Sequence, residues 1–378
     1  MTFAIAIFRG FLNLIYAVFK LLPVRNKVTL ISRQSDSASE DFLMLKAEIE
    51  KQSPKTEVKI LSKKLRKSPG ALISYIGHIF VQMYHIATSK TVVIDSYCIA
   101  VSVLKQRRSL RVVQIWHAMG ALKRFGLSIC GEEEGSSPKL AKAMRMHRNY
   151  THVLASGKAC VKPFAEAFGC IEKRVVIGSL PRVDRLMSED IKQHTIDKIF
   201  GKYQELKQAK DCDKKIIVYA PTFRKHKDIS IEVEDLINKI SSEDRIIVIK
   251  KHPLMKLCIE DRPGVILDDT FSTEEMLYIA DCVIADYSAI VFEAALLNKP
   301  MCFYAFDLDE YMASRSFYLD YEKDMPGAIC KDVDEVETVL KDFRFDLEAV
   351  RNFAHNYVEK TEGVTKELAN LVLMDNYL

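Results

Sequence analysis

Residues 281–300 read Asp-Cys-Val-Ile-Ala-Asp-Tyr-Ser-Ala-Ile-Val-Phe-Glu-Ala-Ala-Leu-Leu-Asn-Lys-Pro, and this stretch decides the fold class. Cys282–Ala285 is an apolar run of strand length, residues 286–288 form a polar break, and residues 289–297 are good helix formers. A short buried strand that passes through a polar break into a helix is the repeating unit of parallel α/β sheets. The stretch therefore predicts an α/β protein.

The polar break has the features of an anion site. Ser288 would stand at the start of a helix, where the backbone N–H groups have no partners and the helix dipole favours negative charge. Glu293, one turn further on, could reach a ribose hydroxyl of a bound nucleotide. The simpler interpretation makes Ser288 an ordinary N-cap and Glu293 a solvated helix residue. The segment alone fits the simpler interpretation, and the motifs described below favour the ligand site.

Composition limits the class of protein. The chain has 378 residues, of which 48% are hydrophobic, and 55 basic and 51 acidic residues give a net charge of +4. This length favours two domains, and the nearly balanced charge argues against a protein that binds nucleic acid. The nine cysteines occur without a Cys-x-x-Cys pair. That pattern argues against a zinc site or a disulfide framework and favours a reducing compartment.

The N-terminal segment indicates a membrane surface. Residues 3–22 are apolar except for four side chains whose spacing places them on one face of a helix. Two of the four are charged, so a spanning helix is not expected, and no cleavage site of a signal peptide follows. We predict that residues 1–24 form an amphipathic helix on the membrane surface with its polar face toward water. The alternative is a first helix packed into the core. The four polar residues are Arg9, Asn13, Tyr16 and Lys20.

Strand-like and helix-like runs alternate along the chain, which predicts two parallel sheets covered by helices and facing each other across a cleft. A polar, helix-forming stretch without a strand signal separates the two series. The predicted strands are residues 27–32, 56–61, 91–94, 111–116, 152–155 and 174–177, and then 215–220, 245–250, 265–267, 282–285 and 301–304. The predicted organisation is a membrane helix (1–24), a first domain (25–185), a linker (186–213), a second domain (214–345) and C-terminal helices (346–378).

Reactive side chains follow the predicted strands, and ligands bind outside the carboxyl ends of parallel strands. In the first half, His117 follows a strand and could act as a base toward a substrate hydroxyl, although a lone histidine more often has a structural role. The second half offers several donors of the kind that bind phosphate or diphosphate. These donors are Thr222, Arg224, His252, Ser288 and Arg315.

Taken together, these motifs resemble the CDP-glycerol glycerophosphotransferase family of wall teichoic acid and capsule synthesis. No single motif is specific, but the ordered set is, and it covers residues 27–330. The length and the hydrophobic start are most similar to the primases of that family. The matching motifs are Trp116-His117 with Gly120, residues 178–184, residues 219–224, Lys250-x-His252-Pro253, Asp286-Tyr287-Ser288 with Glu293, residues 298–300, and Arg315 ahead of Phe317.

Two positions depart from the family pattern. Ala289 stands where the family commonly has a second serine, and Ser316 stands where it has glycine. The first change removes one phosphate contact, and the second alters the loop that carries Arg315. Neither removes a charged group, so the departures bear on the identity of the donor more than on activity.

The resemblance implies a GT-B-like pair of Rossmann-type domains with a membrane helix. It implies that the second domain binds CDP-glycerol and that the first presents an undecaprenyl-linked saccharide, or a teichoic acid or capsule acceptor. A hydroxyl of the acceptor would receive glycerol phosphate, with release of CMP, at the cytoplasmic face of the cell membrane. No cofactor or catalytic metal is implied, and Mg²⁺ can accompany the donor.

The resemblance also implies roles for individual residues. His117 and His252 are the catalytic residues, with His117 as the general base and His252 at the diphosphate. Ser288 and Arg315 would bind the donor phosphates, as would Thr222 and Arg224 more weakly. The nucleotide-binding residues implied are Glu293 at the ribose, Asp286, which orients its own turn, and Tyr287.

Three alternatives remain open at this stage. The donor could be CDP-ribitol, or the chain could be a GT-B glycosyltransferase that uses a nucleotide sugar. A catalytically inactive scaffold of an envelope complex is the alternative that is not an enzyme. Two histidines and Arg315 around a diphosphate favour phosphotransfer over the glycosyltransferase.

Overall fold

Six strands form a parallel sheet in the first half of the computed structural model, which describes residues 2–66, 68–224, 227–251, 255, 259 and 262–374. The strand order is β2-β1-β3-β4-β5-β6. The three central strands β1, β3 and β4 are buried along their whole length, as expected for a sheet covered by helices on both faces. The strands are β1 (Lys27–Ser32), β2 (Glu57–Ser62), β3 (Thr91–Ile94), β4 (Arg111–Gln114), β5 (His152–Ala155) and β6 (Val175–Ile177).

A second parallel sheet of six strands has the order β12-β11-β10-β7-β8-β9. All its strands except the edge strand β12 were predicted from the sequence. That strand has three residues, which is too short to give a pattern. The strands are β7 (Lys215–Tyr219), β8 (Arg245–Lys250), β9 (Val265–Asp268), β10 (Cys282–Ala285), β11 (Met301–Tyr304) and β12 (Ala328–Cys330).

Helices connect the strands in both sheets. The first seven are α1 (Thr2–Phe19), α2 (Glu40–Gln52), α3 (Pro69–Ala87), α4 (Ile99–Val103), α5 (Pro138–Ala143), α6 (Val161–Phe168) and α7 (Arg182–Leu186). The remaining helices are α8 (Glu189–Lys202), α9 (Gln204–Asp211), α10 (Ser230–Ile240), α11 (Thr273–Leu277), α12 (Ile290–Leu296), α13 (Leu308–Ser314), α14 (Tyr321–Asp324), α15 (Val333–Asp342), α16 (Leu347–Tyr357) and α17 (Val364–Leu373). Three short 3-10 helices span Gly126–Ile129, Lys158–Cys160 and Glu172–Arg174.

The chain divides into two units at boundaries that differ from the predicted ones. The first unit consists of two stretches of the chain, one up to Asp184 and one from Glu359 onward. The second unit consists of Arg185–Val358. The predicted linker forms α8 and α9 of the second unit, where Ile199 and Leu206 are fully buried. The C-terminal helices are divided, with α16 in the second unit and α17 in the first.

A helix cap at the start of α17 anchors the C-terminal stretch of the chain to the first unit. The Asp184 carboxylate accepts hydrogen bonds from the backbone N–H groups of Val364 (3.1 Å) and Thr365 (2.8 Å). These groups belong to the first turn of α17, which has no intrahelical partners for them. The cap therefore joins the end of the first stretch of this unit to its last helix.

Helix α1 turns its polar face toward the protein, so the predicted orientation with Arg9, Asn13 and Lys20 toward water is wrong. The guanidinium of Arg9 donates to the carbonyl of Ala143 (2.8 Å), and the amide of Asn13 donates to the carbonyl of Val103 (3.1 Å). These carbonyls belong to the last residues of α5 and α4, and the final carbonyls of a helix lack partners within it. The polar residues of α1 supply those partners, which is the physical reason for the orientation.

The apolar face of α1 is consequently exposed. Its residues follow one another at spacings of three and four, which places them on one side of the helix, and all are more than half exposed. No helix in the part of the chain that the structure describes combines the length and the apolar character needed to span a membrane. We call this surface the apolar stripe of α1, formed by Phe3, Ile7, Phe11, Leu14 and Val18.

Candidate functional site

His117 lies just beyond β4, at the edge of the first sheet where its parallel strands end. Its Nδ1 atom is 3.0 Å from the backbone carbonyl of Asp95 and 3.0 Å from the side-chain amide of Gln34. A carbonyl oxygen can only accept a hydrogen bond, so we assign the proton of the neutral ring to Nδ1, and we assign to the Gln34 amide the orientation in which its oxygen, not its Nε2, faces that proton. This tautomer leaves the lone pair of a base on Nε2.

The surroundings of His117 keep its imidazole neutral. Protein atoms packed around the ring lower the pKa of His117, and the hydrogen bond to the Asp95 carbonyl opposes this effect. The positive charges of Arg182 and Arg33 lower that pKa further. His117 is nevertheless exposed to solvent, so burial acts less strongly than it would on an enclosed ring. The neutral ring is the form that can accept a proton from a hydroxyl.

Trp116 sets the direction in which the chain leaves β4. Its φ angle is 59°, in the left-handed region that a tryptophan rarely adopts. Such a conformation costs about 1–3 kcal/mol and persists only where the surroundings enforce it. Here the indole ring stacks on Phe125 with centroids 4.7 Å apart, and it lies 4.1 Å from the imidazole of His117. Aromatic packing therefore holds the turn that presents His117.

Two buried acids lie at the same edge of the first sheet. Burial raises the pKa of Asp95 to about 6, and the nearby charge of Asp41 adds to this effect while hydrogen bonds from Ser32 and Ser96 oppose it. Asp41 accepts hydrogen bonds from the backbone N–H (2.8 Å), Nε (3.0 Å) and Nη2 (2.5 Å) of Arg182. Arg182, the cation of the motif at residues 178–184, is thus paired with Asp41 inside the protein.

Gln34, Asp41 and Asp95 were not among the residues predicted from the sequence. A signal was available for two of them, since Gln34 and Asp95 lie directly beyond β1 and β3, as His117 lies beyond β4. Asp41 lies in the first turn of α2, and its pairing with Arg182 joins residues 141 positions apart. No local pattern in the sequence predicts such a pair.

Arg224 is at the centre of a buried network in the second unit. Its Nε and Nη2 atoms donate to the two carboxylate oxygens of Asp307 (2.9 and 3.0 Å), and its Nη1 donates to Asp286 (2.9 Å). The rings of Tyr287 and Tyr311 lie 4.7 and 4.9 Å from the guanidinium carbon. Arg224 is only 7% exposed and these donors bind groups of the protein, so the phosphate contact predicted for it stays a prediction.

Thr222, Asp286 and Tyr287 belong to the same network. Both the backbone N–H (3.0 Å) and the hydroxyl (2.5 Å) of Thr222 donate to the Asp286 carboxylate. Asp286 is 1% exposed and Tyr287 is fully buried, with its hydroxyl donating to Asp307 (3.0 Å). These side chains thus make contacts within the protein, and the contacts predicted for them with phosphate or nucleotide stay predictions. Together with Arg224 they position the turn at residues 286–288.

The electrostatics of the network are consistent with charged partners. Burial alone would raise the pKa of Asp307, but the Arg224 guanidinium holds that pKa below its usual value. A buried charge without a partner is strongly unfavourable, whereas a paired and hydrogen-bonded one is tolerated. The buried ion pairs of Arg224 with Asp286 and Asp307 therefore hold the turn at residues 286–288 in place.

Ser288 and Glu293 follow this turn. The Ser288 hydroxyl accepts a hydrogen bond from the backbone N–H of Ile290 (3.3 Å), the first residue of α12. Glu293, in the same helix, is 5% exposed. The N-cap residue of α12 is Ala289 rather than Ser288, and Glu293 is buried rather than solvated, so the simpler interpretation is not met. The predicted roles of both residues in donor binding stay predictions.

Arg315 and His252 complete the set of predicted donor-site residues. Arg315 is half-buried directly after α13, where its backbone N–H donates to the carbonyl of Tyr311 (2.9 Å). His252 lies outside the described residues, so its role also stays a prediction. Across the described ranges, no group of three or more His, Cys, Asp or Glu side chains is arranged to hold a metal ion.

Comparison with protein families and curated proteins gives matches over nearly the whole chain. The family model described as CDP-Glycerol:Poly(glycerophosphate) glycerophosphotransferase matches residues 14–373. A teichoic acid ribitol-phosphate primase of Bacillus spizizenii is 32% identical over 97% of this chain and 96% of the relative. A teichoic acid glycerol-phosphate primase of the same organism is 28% identical over 96% of both chains.

A solved structure extends the similarity to the fold. The structure of the wall teichoic acid polymerase TagF is similar with a TM-score of 0.69, covering 98% of this chain and 96% of the other. The two sequences are 19% identical over this match, so the similarity concerns the α/β fold alone.

Proposed function

This chain belongs to the CDP-glycerol:poly(glycerophosphate) glycerophosphotransferase family, and from that membership we propose that it transfers a polyol phosphate from a CDP-activated polyol to a hydroxyl of a teichoic acid acceptor. The observation that carries the proposal is the setting of His117. Its Nδ1 atom is held by the Asp95 carbonyl, and its Nε2 atom is left as a base at the carboxyl edge of a parallel sheet.

The proposed reaction is a single displacement at phosphorus. The oxygen of an acceptor hydroxyl forms a bond to the phosphorus that bears the polyol, and the bond from that phosphorus to the CMP oxygen breaks. Nε2 of His117 accepts the proton of the hydroxyl, and CMP leaves with the electron pair of the broken bond. Such reactions are accelerated mainly by positioning and by stabilising charge on the phosphoryl oxygens.

The proposal assigns the acceptor to the first unit and the donor to the second. The acceptor is an undecaprenyl-linked saccharide or a growing teichoic acid or capsule polymer. Ser288 and Arg315, together with His252, bind the diphosphate, and Glu293 binds the ribose. The buried Arg224 network supports this assignment because it fixes the turn that carries Ser288. No cofactor is required, and Mg²⁺ can accompany the donor diphosphate.

The polyol separates two candidate functions. The motifs in the sequence resemble those of enzymes that use CDP-glycerol, which is the first candidate. CDP-ribitol is the second, favoured by the 32% identity to a ribitol-phosphate primase against 28% for a glycerol-phosphate primase. Supplying CDP-glycerol, CDP-ribitol or a UDP-sugar in separate reactions with the same acceptor, and measuring the CMP or UDP released in each, decides between them. Release of UDP alone would identify a glycosyltransferase, and no release would support an inactive scaffold.

Arg315 is the most direct test of the donor side. We expect Arg315→Lys to weaken donor binding and slow transfer together, with kcat/KM about 10- to 100-fold lower, because hydrogen bonds to a charged group are worth ~1.5–3 kcal/mol. An ammonium group cannot reproduce the two-pronged contact of a guanidinium with phosphate. Steady-state kinetics of this variant beside Arg344→Lys, an exposed arginine of the same unit, check the result. Wild-type kinetics for Arg315→Lys would contradict the assignment of Arg315 to the donor site.

We propose that the protein lies on the cytoplasmic face of the cell membrane through the apolar stripe of α1. Two features support a peripheral position. The polar side chains of α1 are used within the protein, and the outward side carries contiguous Phe, Leu, Ile and Val side chains. Helix α3, which packs beside α1, adds Ile73, whose side chain is 72% exposed. Exposed apolar patches of this kind mark interaction surfaces, and a membrane interface accepts aromatic and aliphatic side chains.

The apolar stripe of α1 can be tested without deleting the helix, whose buried Leu12 and Tyr16 belong to the core. We expect the double variant Phe11→Ser, Leu14→Ser to bind neutral phospholipid vesicles at least about tenfold more weakly for each side chain removed. Vesicle co-sedimentation provides the measurement. The control is Ile171→Ser, Ile231→Ser, which removes comparably exposed apolar side chains elsewhere. Equal binding of the two double variants would contradict a membrane role for α1.

A further inference from the structure

A cavity of about 620 Å³ opens in the first unit, away from His117. Its walls come from segments that end just before β4, β5 and β6. The sheet is parallel, so the cavity lies at the amino edge of these strands, whereas His117 lies at the carboxyl edge. The cavity is therefore separate from the site proposed for transfer.

The cavity is lined by four arginines and by no aspartate or glutamate. In the part of the chain that the structure describes, none of the four forms an ion pair with a carboxylate. Further cations lie nearby. Burial lowers the pKa of Arg145, and the positive charges of Arg9 and Arg148 lower it further. Within the described ranges, the positive charge of this surface is thus not neutralised by a carboxylate. We call it the arginine pocket, formed by Arg107, Arg108, Arg148 and Arg174.

One wall of the arginine pocket is held in an unusual backbone conformation. Arg145, His147 and Asn149 all have left-handed φ angles (50°, 59° and 73°). The Asn149 side-chain amide donates to the carbonyls of Val101 (2.8 Å) and Leu104 (3.0 Å), and this pair of contacts fixes the loop against α4. A backbone of this kind needs contacts that enforce it. The wall is preorganised, which lowers the entropic cost of binding a ligand.

Arg107 connects the pocket to the end of α1. Its Nη2 atom donates to the carbonyl of Leu22 (2.8 Å) and to that of Lys20, just beyond the last turn of α1. Its Nε atom is buried and has no hydrogen-bond partner among the described residues. Leu21 is 84% exposed beside these contacts. The arginine pocket thus lies next to the exposed apolar residues that follow α1.

We propose that the arginine pocket binds the phosphate group of an anionic phosphoester. Guanidinium groups match the geometry of phosphate oxygens and bind them in pairs, and the described residues that line the cavity include no carboxylate that would repel an anion. The phosphate belongs either to the headgroup of an acidic phospholipid or to a soluble phosphoester. This binding site is additional to the transfer reaction and does not depend on it.

The test uses the full chain with Arg108→Glu and Arg148→Glu together, because both side chains are exposed and their replacement should leave the fold intact. The matched control is Arg344→Glu with Arg351→Glu, two exposed arginines of the second unit that give the same change in net charge. Binding is measured to phosphatidylcholine vesicles with and without phosphatidylglycerol. A second arm measures binding of inorganic phosphate and glycerol 3-phosphate by calorimetry. Melting curves confirm that each variant is folded.

We expect phosphatidylglycerol to strengthen binding of the wild type and the control, and this gain to fall at least about tenfold in the pocket variant. That result assigns the pocket to a lipid headgroup. Loss of glycerol 3-phosphate binding in the pocket variant alone, with vesicle binding unchanged, assigns it to a soluble phosphoester. If the pocket variant and the control behave alike in both arms, the arginine pocket is a solvated basic surface and the proposal is overturned. None of these measurements requires turnover, so an inactive transferase would not affect them.

Discussion

Replacing His117 with alanine is expected to lower turnover by about 10²- to 10⁴-fold and to leave the affinity for the CDP-polyol donor nearly unchanged. The reason is that Nε2 acts only on the proton of the acceptor hydroxyl, whereas the donor is assigned to the other unit. Single-turnover rates and donor binding, measured on the same preparation, separate the two effects. His355→Ala, at an exposed position of the second unit, is the matched control.

The pH dependence provides a second check on His117. The pKa of His117 is lowered in the folded protein, so the neutral ring persists at about pH 6.5, where an ordinary histidine is half protonated. The rate should therefore begin to fall only at lower pH, as Nε2 becomes protonated. Loss of donor binding in His117→Ala with a normal single-turnover rate would contradict the assignment of this residue as the base.

Replacing Arg224 with methionine is expected to reduce the free energy of unfolding of the second unit by about 3–5 kcal/mol. The substitution keeps much of the apolar volume of the side chain but leaves the carboxylates of Asp286 and Asp307 without their cation. Both are almost fully buried, and a buried charge without a partner is costly. Urea unfolding of this variant and of Arg344→Met, at an exposed position, gives the comparison.

The pH dependence of that loss distinguishes an electrostatic cause from a packing cause. In Arg224→Met, the folded-state pKa of the Asp307 carboxyl should lie above its unfolded value, because burial raises it and the guanidinium is gone, so stability is lost as the pH rises. In the wild type, the lowered pKa of Asp307 contributes stability above its unfolded pKa, and this contribution is lost as the pH falls. The difference between the two proteins should therefore be smaller at about pH 4.5 than at about pH 7.5. A difference that is the same at both values would indicate lost packing instead.

Much of the sheet architecture could be predicted from the sequence. The predicted strands at Thr91–Ile94, Cys282–Ala285 and Met301–Tyr304 coincide with β3, β10 and β11, because each is a short, mainly apolar run. The domain boundaries were harder to predict. Helices α8 and α9 are polar over most of their length, and the few side chains that they bury are not enough to reveal that α9 packs on β7 and β8 and that α8 packs on α9 and α11.

The limits of sequence analysis are clearest at the sites. A guanidinium beside a strand end has the same local pattern whether it binds phosphate or carboxylates. Arg224 binds Asp286 and Asp307, which lie 62 and 83 positions away. In the same way, the periodicity of α1 revealed two faces, but it could not show that the polar face satisfies the carbonyls at the ends of α4 and α5. Both outcomes depend on partners that only the folded chain brings together.

The mass of the acceptor after reaction tests the proposed transfer most directly. A lipid-linked disaccharide is incubated with the protein and either CDP-glycerol or CDP-ribitol, and the products are analysed by mass spectrometry and nucleotide chromatography. We predict that the acceptor gains whole units of glycerol phosphate or ribitol phosphate, and that one CMP is released for each unit. An acceptor of unchanged mass with both donors, or one that gains a sugar when a UDP-sugar is supplied instead, would contradict the assignment of this chain as a polyol-phosphate transferase.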